Sequence, residues 1–315
     1  MASQTARTAN IAIELRTSVS YLANRRRGIS LLANSISEHH SRGLNPAKSS
    51  FPDLCVLLDH FGVTSGTFRI ESQIPSRSGL GGSGALVIAM VALIKKIRLG
   101  TLGDQDWPTL SLVTHLLENW LGFSSTGFQD QLAALYGGAN LWTWGIHFDA
   151  ASPIYKRSSI LPLGGADDLN EHILLCFTGQ SHSPTRMSKQ VRRLEGPERS
   201  QWEKVSRHTE NFGAAIRTSD WIGAARHLNA ECELREKLDP TCLSARARVL
   251  VNAGRQSGVG CRFAGHGHGG CVWAIGDATA IATTKEVWDG IVRRWKGAWV
   301  IMPTVAAKGL VVHEL

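Results

Sequence analysis

The segment from Pro75 to Ala85, PSRSGLGGSGA, contains the residue types best suited to chemistry in this chain. Its glycines let the backbone curl so that several N–H groups point to one spot. The helix predicted to follow adds unpaired N–H groups and the positive end of its dipole. These features predict a binding site for an anion such as a polyphosphate, with the Ser83 hydroxyl placed to reach a magnesium ion. Composition alone also fits a flexible turn before a core helix.

A second glycine-rich segment, AGHGHGGC, spans residues 264–271 and allows rival interpretations. Its glycines fit the dinucleotide fingerprint Gly-x-Gly-x-x-Gly, but that fingerprint must open a helix, and the sequence that follows, VWAI, predicts a strand. A zinc site is another alternative, although the spacing of its candidate ligands matches no common pattern. Those candidates are Cys261, His266, His268 and Cys271.

The elements around these segments indicate an α+β fold, because strands and helices mix without strict βαβ alternation. Alternation of apolar and polar residues predicts a strand over residues 67–74, and dense apolar residues predict a buried helix over 85–96. Residues 151–171, which are rich in Pro and Gly, are the best linker candidate. Further strands are predicted at 11–21, 139–144, 172–177 and 271–275, and further helices at 110–121, 128–136, 201–217 and 220–237.

Length and composition narrow the class of protein. The 315 residues fit two domains, and 43% hydrophobic with 19% charged residues is ordinary for a globular protein. No apolar run is long enough to span a bilayer, no secretory signal is evident, and the six scattered cysteines predict reduced thiols in a cytoplasmic protein. The net charge of +8 suits a polyanionic ligand, and it also leaves open a basic nucleic-acid-binding protein.

Three spaced motifs resemble those of the GHMP kinases, in the order that the family has them. Residues 75–85 look like its phosphate loop, usually Pro-x-x-x-Gly-Leu-Gly-Ser-Ser-Ala, with Gly82 and Gly84 in place of the commoner Ser and Ala. Residues 126–131, TGFQDQ, resemble its Gly-x-x-Asp-Gln segment. Residues 264–271 resemble its Gly-x-Gly-x-Gly-Gly-Cys motif.

The resemblance implies an ATP-dependent kinase with Mg²⁺ as the accompanying ion. Asp130 would orient or deprotonate the attacking hydroxyl, while Ser83 and Glu118 would bind the metal. Without the resemblance, Asp130 fits a carboxylate near a helix dipole and Glu118 a solvated helix face. The residues implied in ATP binding are Ser78, Gly79, Leu80, Gly81, Gly82, Ser83 and Gly84. Those implied in substrate binding are Gln129, Thr178, Gly179, Gly265 and Gly267.

Further matches are similar to the heptose 7-phosphate kinase branch, which acts on an anomeric hydroxyl. They are Gly127-x-Gln129-Asp130-Gln131, Gly137-Gly138-x-Asn140 and Phe177-Thr178-Gly179-x-Ser181-x-Ser183. The family fold implies an N-terminal S5-domain-2-like ATP-binding domain, residues 1–165, and a C-terminal ferredoxin-like domain, residues 166–315. The active site is then expected in the cleft between them.

One departure from the family concerns its first motif, a strand and loop that hold the sugar. Residues 1–15 do not resemble it, which predicts either a start upstream of Met1 or a shortened relative. A nucleotide- or sugar-binding relative without transfer is therefore an alternative. Arg262 stands where related sequences often carry Lys. The partner expected is a small sugar or sugar phosphate, without membrane or nucleic acid, and a homodimer stays open.

Overall fold

The computed structural model describes residues 6–24, 28–33, 36–41, 43–121, 128–145, 155–181 and 198–314. These residues form mixed helices and strands, so the α+β class predicted from the sequence is confirmed. In chain order the elements are β1 Arg7–Ile11, β2 Thr17–Leu22, β3 Gly28–Ala33, β4 Ile36–His40, α1 Pro52–His60, β5 Ser65–Ser72, α2 Gly82–Leu99, α3 Trp107–Trp120, α4 Gln129–Tyr136, β6 Ala139–Trp144, β7 Tyr155–Ser159, α5 Gly165–Asn170, β8 Ile173–Phe177, α6 Glu198–Arg217, α7 Trp221–Leu238, α8 Ala245–Gln256, β9 Gly260–Phe263, β10 Cys271–Ile275, α9 Ala278–Val292 and β11 Trp299–Ile301.

The chain divides into two compact units, each built from separate segments. The first unit comprises residues 1–14, 76–80 and 137–309, and the second comprises residues 15–75, 81–136 and 310–315. Among the described residues, no helix combines the length and the apolar character that a membrane crossing requires.

The second unit packs α1–α4 with a mixed sheet of order β2-β5-β3-β4. The strands β3 and β5 are parallel, and the other two pairs are antiparallel. Apolar residues recur at helical spacing along α2, which buries Val87, Met90 and Val91 in a core shared with Phe68 of β5. The helix ends at Gly100, whose φ of 70° and N–H bond to the Lys96 carbonyl form a left-handed C-cap.

The first unit contains two antiparallel sheets, of order β1-β6-β7 and β11-β8-β10-β9. One apolar core joins β6 to α6 and α7 and includes Leu141, Phe212 and Leu228. A second core joins the four-stranded sheet to α8 and α9, and there the fully buried Trp288 donates its indole N–H to the Leu250 carbonyl. These sheets and helices fix the segments next to β8, β9 and β10, which include the second glycine-rich segment.

Two sequence predictions of local structure were wrong. The strand predicted over residues 11–21 is two strands in different sheets, because β1 pairs with β6 and β2 pairs with β5. The pattern of apolar and polar residues along one segment cannot show where the chain leaves one sheet and pairs with a strand of another. The proposed linker at 151–171 contains β7 and α5 within its described part, and it buries Ile160 and Leu169 in a core.

The compact units are built from interleaved segments, so they do not test the predicted domain division at residue 165. The strands β6 and β7 pair with each other and share the first unit with α6 and α7, although they precede the predicted boundary. The division into domains at residue 165 therefore stays a prediction.

Candidate active site

A cluster of polar side chains in the second unit joins the starts of α2 and α4 to the end of α3. Ser83, in the first turn of α2, is exposed, and its Oγ donates a hydrogen bond to Oε1 of Glu118 over 2.8 Å. Glu118 is fully buried on α3, which excludes the solvated helix face that its sequence pattern allowed. The other carboxylate oxygen, Oε2, accepts a hydrogen bond from Nε2 of the fully buried Gln131 on α4.

Asp130, the predicted catalytic carboxylate, lies next to this cluster in the first turn of α4. Its pKa is raised to about 7, first by burial and then by the negative charge of Glu118. A carboxyl group with a pKa near neutrality can exchange a proton with a hydroxyl group at ordinary pH. The sequence prediction placed Ser83, Glu118 and Asp130 in one site, and the structure brings them together.

Two glycines let the phosphate-loop segment approach Asp130 closely. Gly81 has a φ of 71°, and a Cβ added there would stand 3.2 Å from the Asp130 Cγ. A Cβ at Gly84 would stand 3.2 Å from the Asp130 Cβ, which is tighter than ordinary packing. Gly84, where the resembling family commonly has Ala, thus lets the start of α2 pack closely against Asp130. Gly82 is similarly close, at 3.2 Å, to the Ile74 side chain.

In the first unit, residues 76–80 of the same loop pack against the second glycine-rich segment. The Ser78 carbonyl accepts a hydrogen bond from the Cys271 N–H over 2.8 Å. Gly270, with φ of 77°, passes so close that an added Cβ would stand 2.1 Å from that carbonyl oxygen. Gly79 and Gly265 face each other in the same way, and a Cβ on Gly265 would stand 3.0 Å from the Gly79 carbonyl. Leu80 is partly buried beside them.

Ser78 has a buried hydroxyl group that no protein group satisfies among the described residues. The residue is 2% exposed, and its Oγ has no hydrogen-bond partner there. Buried hydroxyl groups are nearly always hydrogen-bonded. A hydroxyl group without a protein partner, in a loop predicted to bind phosphate, is therefore suited to bind a ligand oxygen.

Of the residues predicted to bind substrate outside the second unit, Thr178 and Gly179 follow β8, and Gly265 and Gly267 lie in the second glycine-rich segment. Both the N–H and the hydroxyl of buried Thr178 donate to the Gly270 carbonyl, over 3.0 and 2.8 Å. Gly179 has φ of 72° and leaves no room for a side chain against the Lys296 carbonyl. Gly267 is equally tight against the Cys242 carbonyl. Gln129 is the first residue of α4 and is partly buried.

Neither the dinucleotide fingerprint nor the zinc site considered for the second glycine-rich segment fits the described structure. The segment leads into the strand β10, so it does not open the helix that a dinucleotide fingerprint needs. Among the described residues, no three His, Cys, Asp or Glu side chains are grouped as a metal site requires. His268 instead pairs through Nε2 with Oδ2 of Asp239 at 3.0 Å, and His266 is exposed. Burial raises the pKa of the Cys261 and Cys271 thiols.

Arg262 forms part of a buried ion pair in the first unit. Its Nε donates to Oε2 of Glu231 over 2.7 Å, and Arg235 contacts the other oxygen of the same carboxylate. Burial opposes ionisation of Glu231, but the two guanidinium groups outweigh it and lower its pKa to about 2. The structure therefore gives Arg262 a partner within the protein.

Several positions from the sequence analysis lie outside the described residues. They include Gly127 and Ser183. One residue of the cluster, Gln131, was not assigned a role from the sequence. The signal available was its place directly after Asp130 in a matched motif, but the sequence does not show that its side chain reaches Glu118.

Comparison with known proteins bears directly on this cluster. Residues 53–138 match the family described as GHMP kinases N terminal domain. The range includes Ser83, Glu118, Asp130, Gln131 and the whole phosphate loop, so each member of the second unit's cluster lies within the GHMP match. No protein of curated function matches the sequence.

Solved structures extend the likeness in fold over nearly the whole chain. A D-glycero-D-manno-heptose 1-phosphate kinase from Bacteriodes thetaiotaomicron superposes with a TM-score of 0.72 at 16% identity, covering 98% of this chain and 92% of that one. The galactokinase of Lactococcus lactis, complexed with galactose, superposes with a TM-score of 0.68 at 16% identity, covering 96% of this chain and 89% of that one. The mevalonate kinase of L. major, in complex with R-mevalonate, superposes with a TM-score of 0.64 at 17% identity, covering 96% of this chain and 91% of that one. This chain therefore has the GHMP kinase fold.

The residues present fit a magnesium ion and a polyphosphate. The hydrogen-bond donors that Ser83 and Gln131 supply to Glu118 are both neutral, so they orient its carboxylate without cancelling its charge. Hydroxyl and carboxylate oxygens are the ligands that Mg²⁺ prefers. The orphan hydroxyl of Ser78 suits a phosphate oxygen that accepts its hydrogen bond.

Proposed function

We propose that this chain is an ATP-dependent kinase that transfers the γ-phosphoryl group of ATP to a hydroxyl of a sugar or sugar phosphate. The observation that carries the proposal is the cluster of Ser83, Glu118 and Asp130. A buried carboxylate and a hydroxyl suited to a cation lie next to a carboxyl group whose pKa is near 7. These are the groups that phosphoryl transfer to a hydroxyl needs.

The proposed reaction is a direct transfer. The acceptor hydroxyl oxygen forms a bond to the γ-phosphorus, the bond from that phosphorus to the β,γ-bridging oxygen breaks, and ADP leaves. The hydroxyl proton passes to the carboxylate of Asp130. Because Asp130 has a pKa of about 7, it can accept that proton and return it to solvent after the product departs.

The other residues act by binding and orientation. A bound Mg²⁺ ion supplies positive charge that offsets the negative charge on the phosphates. Glu118 and Ser83 would hold that ion, and residues 78–84 would bind the phosphates through backbone N–H groups and the start of α2. Since little covalent chemistry falls to the protein, positioning and charge neutralisation provide most of the rate enhancement.

The substrate we propose is the anomeric hydroxyl of a heptose 7-phosphate or a similar sugar. The sequence motifs similar to the heptose 7-phosphate kinase branch support it, and so does the likeness in fold to a heptose 1-phosphate kinase and a galactokinase. Gln129, Thr178, Gly179, Gly265 and Gly267 remain the proposed substrate contacts. Thr178 also donates its hydroxyl to the Gly270 carbonyl, which holds the second glycine-rich segment next to it.

Release of ADP tests the proposal. Wild-type protein is incubated with ATP and Mg²⁺ against a panel of hexoses, heptoses and their terminal phosphates, and the Asp130→Asn variant serves as the matched control. We expect release that depends on one class of sugar in the wild type, with a loss of at least about 100-fold in the variant. ATP binding without sugar-dependent release across the panel would contradict transfer and favour a relative that only binds.

A further inference from the structure

Gln131 contacts the candidate metal ligand directly. Its Nε2 donates to Oε2 of Glu118, while the Ser83 hydroxyl donates to Oε1. One donor from α2 and one from α4 thus hold the two oxygens of a carboxylate that is carried by α3. Such a pair of hydrogen bonds fixes both the rotamer and the plane of the Glu118 carboxylate.

The orientation of the Gln131 amide follows from this contact. A carboxylate only accepts hydrogen bonds, so the NH₂ side of the amide must face Glu118. The carbonyl oxygen, Oε1, then faces away from Glu118. Gln131 is fully buried, and Oε1 has no hydrogen-bond partner among the described residues.

A buried amide oxygen without a partner is costly, because its desolvation is not compensated. Oε1 belongs to the same side chain that holds Glu118, and Asp130 is the preceding residue of α4. A water bound to a magnesium ion is a strong donor, and Mg²⁺ usually keeps several waters. A water of this kind, on an ion held by Glu118, would supply the donor that Oε1 lacks.

We propose that Gln131 is a positioning residue of the magnesium site: its NH₂ group fixes the Glu118 carboxylate and its carbonyl oxygen accepts a hydrogen bond from water bound to the metal. This inference rests on the proposed function, since it concerns the same cation. It assigns a task to a residue that makes no direct bond to the metal. Residues of this kind, when removed, typically weaken metal binding by 10- to 100-fold.

The competing explanation is that Gln131 only satisfies a buried carboxylate and stabilises the packing of α3 with α4. Both explanations predict a loss of stability on substitution, so stability alone cannot separate them. Affinity for the cation separates them, because a packing role leaves it unchanged once the variant is folded.

The test measures thermal unfolding of the whole chain against Mg²⁺ concentration, without ATP or sugar and at constant ionic strength. Gln131→Met keeps the length of the side chain and removes both polar groups. Gln201→Met is the matched control, because Gln201 on α6 also has a buried Oε1 without a partner among the described residues. Gln131→Asn, which withdraws the amide by one methylene, is the second variant if Gln131→Met does not fold.

We expect Mg²⁺ to raise the unfolding temperature of the wild type and of Gln201→Met along the same curve. For Gln131→Met or Gln131→Asn, the apparent Kd for Mg²⁺ should increase by about tenfold. An unchanged apparent Kd in a folded Gln131 variant would overturn the proposal, as would a wild type that does not respond to Mg²⁺.

Failure of the proposed function looks different from failure of this inference. If the chain is not a kinase, sugar-dependent ADP release is absent while the Mg²⁺ titration can still separate Gln131 from Gln201. If the chain is a kinase and Gln131 only packs, ADP release is present and the Mg²⁺ curves of the folded variants coincide with that of the wild type.

Discussion

Two buried glutamates, one in each compact unit, are held in opposite ways. In the first unit, Glu231 lies between the guanidinium groups of Arg262 and Arg235, and its pKa is lowered to about 2 although burial opposes this. In the second unit, Glu118 accepts hydrogen bonds from the Ser83 hydroxyl and the Gln131 amide. Burial, and then the negative charge of Glu118, raises the pKa of the neighbouring Asp130.

The difference distinguishes a structural ion pair from a site that suits a ligand. Around Glu231, the protein supplies its own positive charge, so the carboxylate needs nothing from outside. Around Glu118 and Asp130, two acidic groups are brought together, and the Ser83 hydroxyl and the Gln131 amide that donate to Glu118 are neutral. A carboxyl group with a raised pKa, such as that of Asp130, is typical of functional sites. A magnesium ion would offset the negative charge of Glu118.

Removing Glu231 should have the largest effect on stability. Glu231→Ala leaves the buried Arg262 without its carboxylate, and we expect the free energy of unfolding to fall by about 3–5 kcal/mol. Urea denaturation, followed by circular dichroism, measures the change. Glu210→Ala is the control, since Glu210 forms a more exposed ion pair with Arg7. Its substitution should lower the free energy of unfolding by less than about 1 kcal/mol. Similar losses in the two variants would contradict the comparison.

Asp130 should make the cation-free protein less stable as pH rises. Its pKa is about 7 in the folded state and near 4 when unfolded, so between these values the native state binds more protons than the unfolded state. The contribution of Asp130 to the free energy of unfolding is fully present below about pH 4 and is lost as pH rises towards 7. The free energy of unfolding of Asp130→Asn, relative to that of the wild type, should therefore increase by on the order of 2 kcal/mol from pH 5 to pH 8.

Denaturation of both proteins at pH 5 and pH 8, with a chelator present, checks this expectation. A constant difference between them at the two pH values would show that the Asp130 pKa is not raised in the folded protein.

The smallest expected effect on stability concerns Gly84. Ala is favoured over Gly in a helix, but its Cβ would crowd Asp130 at 3.2 Å, so we expect Gly84→Ala to change stability by less than about 1 kcal/mol. Sugar-dependent ADP release should nevertheless fall, because Asp130 must shift. Gly290→Ala on α9 is the control, where nothing lies within 4 Å of an added Cβ. If only Gly290→Ala lowered ADP release, the packing argument would be wrong.

The sequence predicted local elements better than the contacts between them. The bounds of β6 and β10 were predicted correctly, because alternating or apolar runs between glycines are local signals. The change of sheet between β1 and β2 depends on partners far along the chain, and no local pattern encodes it. The elements that were not predicted are the strands β3, β4, β7, β9 and β11 and the helices α1, α5, α8 and α9.

The same limit applies to the candidate site. The glycine loop, Asp130 and Glu118 were found because their spacing resembles a known family. The hydrogen bond from Gln131 to Glu118 joins two helices whose rotation about their axes is set by core packing, which spacing alone does not reveal. The tight contacts of Gly81 and Gly84 with Asp130 likewise depend on how α2 and α4 pack.

Dependence on magnesium tests the central claim, that the buried carboxylate of Glu118 and the Ser83 hydroxyl form a cation site for phosphoryl transfer. The measurement is sugar-dependent ADP release against Mg²⁺ concentration for the wild type and for Glu118→Gln, which keeps the shape of the side chain and removes its charge. We expect the variant to need at least about tenfold more Mg²⁺ and to reach a lower maximal rate. Superimposable Mg²⁺ curves for the two proteins would contradict the account.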